Sequence, residues 1–172
     1  MFYTGIGSRH TPNHILGQMI KIAYFLNTHE FTLRSGGADG ADSAFEAGVD
    51  RAPNPTLKEI YLPYQNFNNR RSALFPPSDR AYQLAEKYHP RWHKLSPVVK
   101  ALMARNTHQV LGQDLNTPSA FTVCYTLDGQ DSGGTGQALR LCRDLDIPVF
   151  NLYNSSTLEK LNAFLRGLHG QT

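Results

Sequence analysis

Short apolar runs and longer stretches with apolar residues every three or four positions alternate along the chain, and this alternation predicts the elements. Met1 to Ile6 reads as a strand. Thr11-Pro12 then opens a helix, with a cap residue followed by proline at the first helical position. Ile15, Met19, Ile20, Ile22, Ala23, Phe25 and Leu26 give that helix one apolar face up to about His29. Phe31 to Leu33 is a second strand, and a helical run of small residues begins at Ala41. Pro53 and Pro55 mark a loop, after which Lys58 to Leu62 reads as a third strand stopped by Pro63.

Ser78 to Tyr88 is predicted helical, and a helix from Ser96-Pro97 to about Gly112 should turn Val98, Val99, Leu102 and Met103 inward. Ala120 to Thr126 is apolar almost throughout, as a strand covered on both faces should be. A helix from Gln137 to Leu145, a strand from Ile147 to Leu152 and an amphipathic helix from Thr157 to Leu168 complete the pattern. Strands alternating with helices imply an α/β fold with a mainly parallel sheet and helices on both faces. Residues 1–172 are expected to form a single domain, with 64–97 a long, loop-rich insertion of the functional or mobile kind.

Three glycine-bearing turns follow strands: Gly5 to Arg9, Ser35 to Gly40, and Asp128 to Gly136. Such turns accept positive φ and expose bare N–H groups, and the helix behind each points its positive dipole end at the same place. The natural guest is a phosphate or another anion. Because all strand carboxyl ends of a parallel sheet share one edge, Ser8, Gly37 and Gly134 are expected to line a single crevice. None of the turns spells the dinucleotide fingerprint, and none carries the lysine of a P-loop.

Composition narrows the possibilities only slightly. A chain of 172 residues with 40% hydrophobic content can bury one proper core. The net charge of +3 suits nucleotide or nucleic-acid contact, but the basic residues are scattered apart from Arg70-Arg71. Cys124 and Cys142 have no metal or redox spacing and read as buried thiols. No apolar run approaches a membrane span, and the first residues lead straight into a strand, so a cytoplasmic protein without membrane partners is expected. The seven histidines show no metal pattern, since Pro90 interrupts the His89–His93 spacing; no metal site is expected.

Among charged residues, Arg9 and Arg105 are the phosphate candidates, because a planar guanidinium grips a phosphate with two prongs. Arg34, Arg70 and Arg71 come next. Trp92, Tyr64 and Phe67 offer faces on which a base can stack. Asp42 and Glu46 lie four apart on one helix face, where a carboxylate can stabilise an oxocarbenium-like transition state or position water. The competing assignment has Asp42 capping backbone N–H groups or pairing with an arginine, and Glu46 in solvent. Asp128 and Asp131 are placed to meet ribose hydroxyls or a metal, or simply to form the turn.

Gly7-Ser8-Arg9, Ser35-Gly36-Gly37-Ala38-Asp39-Gly40-Ala41-Asp42, Arg105-Asn106 and Gly133-Gly134-Thr135-Gly136 together resemble the SLOG superfamily. That superfamily includes the DNA-processing protein DprA, YspA/YpsA-like proteins and the LOG phosphoribohydrolases. Gln109-Val110-Leu111-Gly112 and Ile147-Pro148-Val149-Phe150-Asn151-Leu152 add a likeness to its small stand-alone members from phages and bacteria. The resemblance implies a Rossmann-like three-layer sandwich of about five strands and a nucleotide site at the carboxyl edge of the sheet. The ligand set it implies is Gly7, Ser8, Arg9, Ser35, Gly36, Gly37, Ala38, Asp39, Gly40, Asp42, Arg105, Asn106, Asp128, Gly133, Gly134, Thr135, Gly136 and Gln137. LOG enzymes carry a glutamate four residues after the last glycine of their motif, where this chain has Arg140, while Arg105 matches their arginine.

The expected function is therefore binding of a nucleotide or nucleotide-derived phosphorylated ligand, as a sensor or processing protein, with no further cofactor required. One alternative is an N-glycosidic hydrolase of nucleoside monophosphates in which Glu46 or Asp42 replaces the missing glutamate and acts with Arg105. The other is a DprA-like mediator that binds single-stranded DNA. Relatives in the superfamily commonly pair, so a homo-oligomer is expected.

Overall fold

Each apolar run of the sequence becomes a strand, and the strands lie side by side between two layers of helices. The computed structural model describes residues 1–169. In chain order the elements are β1 (Phe2–Gly7), α1 (Asn13–Thr28), β2 (Thr32–Ser35), α2 (Ala41–Asp50), β3 (Lys58–Ile60), α3 (Asp79–Tyr88), α4 (Pro97–Leu111), β4 (Thr122–Tyr125), α5 (Gly133–Asp144), β5 (Val149–Asn151) and α6 (Thr157–His169). The five strands form one sheet in the order β3-β2-β1-β4-β5, and every neighbouring pair is parallel. The chain thus begins at the centre, winds outward through β2 and β3, then crosses back to the other side of β1. That reversal, between β1 and β4, opens a crevice beyond the carboxyl ends of the two strands, where ligands bind in Rossmann-like sandwiches.

The two-residue period of the strands feeds two separate cores. Tyr3, Leu33, Phe121 and Val123 face Ile15, Met19, Phe45 and Leu161, contributed by α1, α2 and α6. Ile6 and Cys124 face the other way, toward Ala81, Ala104, Leu139 and Cys142 from α3, α4 and α5. Register locks this alternation: Gly5 pairs with Val123 and Ile6 with Cys124. Both cysteines are buried and unbridged, and burial pushes the Cys142 thiol up to about 11. Among the described residues no helix is long and apolar enough to cross a membrane.

Four local expectations need correction. Thr11 does not cap α1: its hydroxyl donates to the Ser8 carbonyl at 2.7 Å, an oxygen that Thr11 N and Ala41 N also reach at 3.3 Å, and Pro12 occupies the cap position instead. The helix expected from Gln137 starts four residues earlier, so the third glycine turn is itself the first turn of α5. The poor helix propensity of glycine is overcome there because Gly136 N donates to Ser132 O at 3.0 Å and Asn106 Nδ2 holds Gly134 O at 2.9 Å. Val98 is 57% exposed, since the first turn of α4 projects beyond the core that begins at Ala101. Ser96 does cap α4, accepting from Val99 N at 3.3 Å. Finally, β3, β4 and β5 are shorter than their apolar runs, while β2 extends past Leu33 to Ser35; beyond β3, Tyr61 forms an isolated bridge with Leu74.

Within 64–97 the chain forms α3 and two single turns of 3-10 helix, at Phe67–Asn69 and Trp92–Lys94. His108 ties this segment to α4. Its Nδ1 faces the Gly112 carbonyl at 3.0 Å and its Nε2 accepts from Ser78 N at 3.2 Å, an arrangement that requires the neutral ring. Burial holds its pKa below the usual value, consistent with that demand.

Candidate functional site

A cavity of about 420 Å³ sits at the β1/β4 reversal. It draws its walls from all three glycine turns: Gly7, Ser8 and Arg9 from the first, Ala38 and Asp42 from the second, and Gly133, Gly134 and Thr135 from the third. α4 supplies the remaining side, with Val99, Leu102 and Met103 as an apolar strip and Arg105, Asn106 and Gln109 as a polar one. Each of these six positions lies three, four or seven residues from others of the set, as one helix face requires.

The first two turns are built against each other. Gly40 has φ 77°, and a Cβ there would stand 2.6 Å from the carbonyl oxygens of Ser8 and Arg9, so only glycine permits the approach. Ala41 N donates to Ser8 O at 3.3 Å across the same junction. Asp42, in the first turn of α2 and only 4% exposed, accepts from Ala38 N at 3.3 Å. Burial pushes its carboxyl up to about 6, against the pull of the Arg105 charge and of the Ala38, Gly36 and Gly7 N–H groups. Asp42 therefore ties β1's end to the central turn and also faces the cavity.

Arg105 is 5% exposed. Its Nη1 donates to the carbonyls of Gly36 and, at 3.4 Å, Tyr61, while its Nε donates to Asn106 Oδ1 at 3.1 Å. The guanidinium also lies over the Phe67 ring, 5.6 Å from its centroid. Loss of solvent lowers its pKa, and the nearby Arg9 charge adds to this while Asp42 opposes it. Asn106 passes the connection on to Gly134 O at 2.9 Å, so one pair of adjacent residues on α4 links the second turn to the third.

At the third turn no side chain caps α5. The Ser132 hydroxyl donates to Asp128 Oδ1 at 2.6 Å, leaving the helix's first N–H groups facing the cavity. Gln109, one helical turn beyond Arg105, is 1% exposed, and its Nε2 finds no acceptor among the described residues.

Several expected site residues lie elsewhere. Ser35, Gly36, Gly37, Asp39 and Gly40 shape the central turn from behind or outside and do not line the cavity. Ser35 Oγ bonds Gly5 O at 2.7 Å, and Gly37 O accepts from Asn68 Nδ2 at 3.1 Å. Glu46 faces away: Lys58 reaches its carboxylate at 3.2 Å and Arg70 at 3.1 Å. Asp128 and Asp131 are turn formers, the latter clasped by Arg143 Nη2 at 2.8 Å. Gly136 and Gln137 are buried behind the turn, Gln137 donating to Thr107 at 3.2 Å.

Arg34, Arg70 and Arg140 are also engaged. Arg34 binds Glu59 at 2.8 Å and the Thr117 carbonyl; Arg70 binds Glu46 and, at 2.9 Å, Ser43. Arg140, at the place of the LOG glutamate, donates to Tyr88 O at 2.7 Å and Asp131 O at 2.8 Å, bracing the turn from outside the cavity. No ring of Trp92, Tyr64 or Phe67 reaches the cavity: Trp92 packs against Tyr82, and Tyr64 against Phe67. Any base held here would lie against Val99, Leu102 and Met103 instead.

Sequence reasoning missed Ile6, His10, Val99, Leu102, Met103, Gln109, Thr126, Leu127 and Ser132 as lining residues. The α4 strip is legible in the sequence as an apolar face, and nothing in its spacing tells a cavity wall from core. Comparison of the chain with protein-family models, curated proteins and solved structures gives no match.

Proposed function

We propose that the crevice binds a nucleotide or a nucleotide-derived phosphorylated ligand. The observation that carries this reading is the meeting of Gly7–Arg9, Ala38–Asp42 and Gly133–Thr135, far apart in sequence, around one cavity. Arg9 offers a phosphate a positive charge, and the uncapped start of α5 offers it bare N–H groups. Val99, Leu102 and Met103 offer an apolar wall for the remainder, and the volume is within the range of ordinary small-molecule sites. The SLOG resemblance points the same way. Calorimetric titration with the four nucleoside monophosphates and their unphosphorylated nucleosides tests it: saturable binding that needs the phosphate supports the reading, and equal failure of both sets refutes it.

A second reading, N-glycosidic cleavage, is favoured by Asp42, a cavity-facing carboxyl beside the Arg105 charge. Once ionised, it can stabilise positive charge developing on a ribose ring. Glu46 has no part in this, because its carboxylate is held by Lys58 and Arg70. Release of free base from a nucleoside monophosphate, lost in D42N, separates an enzyme from a binder.

A further inference from the structure

The charges around the crevice fall out of balance once an anion enters it. Among the described residues that line it, Arg9 and Arg105 are the fixed cations and Asp42 is the one carboxylate. With Asp42 ionised these three carry one net positive charge, so a phosphate or sulfate dianion turns the total negative. Arg105 and Asp42 are 5% and 4% exposed, where water does little to screen such an excess.

Asp42 is placed to absorb the difference. Its carboxylate accepts from Ala38 N at 3.3 Å and, while charged, is favoured by the Arg105 guanidinium. An anion that pairs with Arg9 and Arg105 cancels that favour, adds negative charge to the same cavity and excludes water from it. All three changes favour the protonated carboxyl. The free protein is already close to balance, with burial pushing Asp42 up to about 6 against the Arg105 charge and the N–H groups.

The other charged groups nearby are differently placed. The loop after β1 brings Arg9 and His10 to the cavity, and of these only His10 titrates near neutral pH. Asp39 is exposed on the preceding turn, and Glu46, one turn along α2, is held by Lys58 and Arg70. α1 packs on α2 with His14 and Lys21 exposed and outside the cavity lining. Arg34 of β2 is paired with Glu59, while β1 and the first turn of α5 hold no charged residue.

We propose that the crevice takes up its anion together with a proton from solvent, and that Asp42 receives this proton. The inference rests on the proposed nucleotide reading and adds that binding is tuned by pH: tight in mildly acidic solution, weaker as Asp42 ionises. A neutral Asp42 in the complex sets such a binder apart from the enzyme of the second reading, which needs the ionised form.

The test titrates wild type, D42N and H10Q by calorimetry at pH 5, 6, 7 and 8, in buffers of different ionisation heat. The probes are sodium sulfate, a dianion throughout, and the four nucleoside monophosphates. In wild type, sulfate binding at pH 7 should take up protons, and sulfate affinity should fall about tenfold from pH 6 to pH 8. D42N, whose amide copies the neutral carboxyl, should lose most of that fall and bind more tightly than wild type at pH 8. A residue that merely braced the turn would give weaker binding at every pH. H10Q should keep the wild-type slope, whatever its affinity.

Binding without proton uptake, a slope that survives in D42N, or weaker binding by D42N at pH 8 overturns the role of Asp42 and leaves the nucleotide reading standing. A slope lost in H10Q moves the proton to His10 and also overturns it. Should sulfate bind too weakly to measure, the difference between wild type and D42N with nucleoside monophosphates decides, because the ligand's own proton cancels in it. Should D42N be too unstable to titrate, proton uptake in both wild type and H10Q supports the inference, and its absence in either overturns it. Failure of wild type to bind any nucleoside monophosphate at any of these pH values removes the nucleotide reading and this inference together.

Discussion

The burial of Asp42 has a measurable consequence for stability. An ordinary aspartate titrates near 3.8, whereas this carboxyl is pushed up to about 6 by loss of solvent, a difference worth about 3 kcal/mol. The sign follows from proton binding. Between about pH 4 and pH 6 the folded protein holds this proton more tightly than the unfolded chain does. The contribution of Asp42 to stability is therefore greatest below pH 4, falls as pH rises through that window, and stays at its lowest above pH 6. Other groups titrate too; His108, its pKa lowered by burial, acts in the opposite direction. D42N removes only the Asp42 titration, so the quantity to measure is the stability difference between wild type and D42N. Urea unfolding of both at pH 4, 5, 6 and 7 should show wild type losing about 2 to 2.5 kcal/mol relative to D42N across the range, the part of the full difference that falls within it. A difference that is flat, or that grows in favour of wild type as pH rises, would mean that Arg105 and the surrounding N–H groups outweigh burial, and the account of Asp42 would fail.

Two substitutions probe the surrounding geometry. In G36A the added methyl collides with the buried ends of Arg105 and Gln109, so urea unfolding should register a loss of about 1–3 kcal/mol, and nucleoside monophosphate binding should disappear with it; wild-type stability and binding would refute the close approach. Arg9 is exposed at the cavity rim and makes no ion pair among the described residues, so R9Q should melt within about 0.5 kcal/mol of wild type yet bind phosphate-bearing ligands several-fold more weakly. Unchanged binding in R9Q would remove Arg9 from the site.

Much of the architecture was legible because burial on both faces leaves a plain mark. Phe121, Val123 and Cys124 had to be apolar for β4 to lie between two helical layers, and their run in the sequence says so. The meeting of the three turns was legible too, since parallel strands allow their carboxyl ends no other arrangement. What escaped was set by contacts between distant segments. The start of α5 depends on Asn106 holding Gly134, 28 residues away, against the low helix propensity of four closely spaced small residues. Glu46 looks like a partner for Asp42 because the two share a helix face, but Lys58 and Arg70 from the next strand and loop hold its buried carboxylate away from the cavity. Gln109 gave no signal, because a glutamine inside an amphipathic helix looks the same whether its amide meets solvent, protein or ligand.

The central claim is that three separated turns serve one ligand, and their own backbone amides report it most directly. Titration of isotope-labelled protein with nucleoside monophosphates, followed by amide chemical shifts, should move Gly7, Ser8 and Arg9, Ala38 to Asp42, and Gly133 to Thr135 together along one saturable isotherm. Shifts that never saturate, that follow different isotherms in the three turns, or that gather instead in the groove around Phe25 and Arg166 would contradict it.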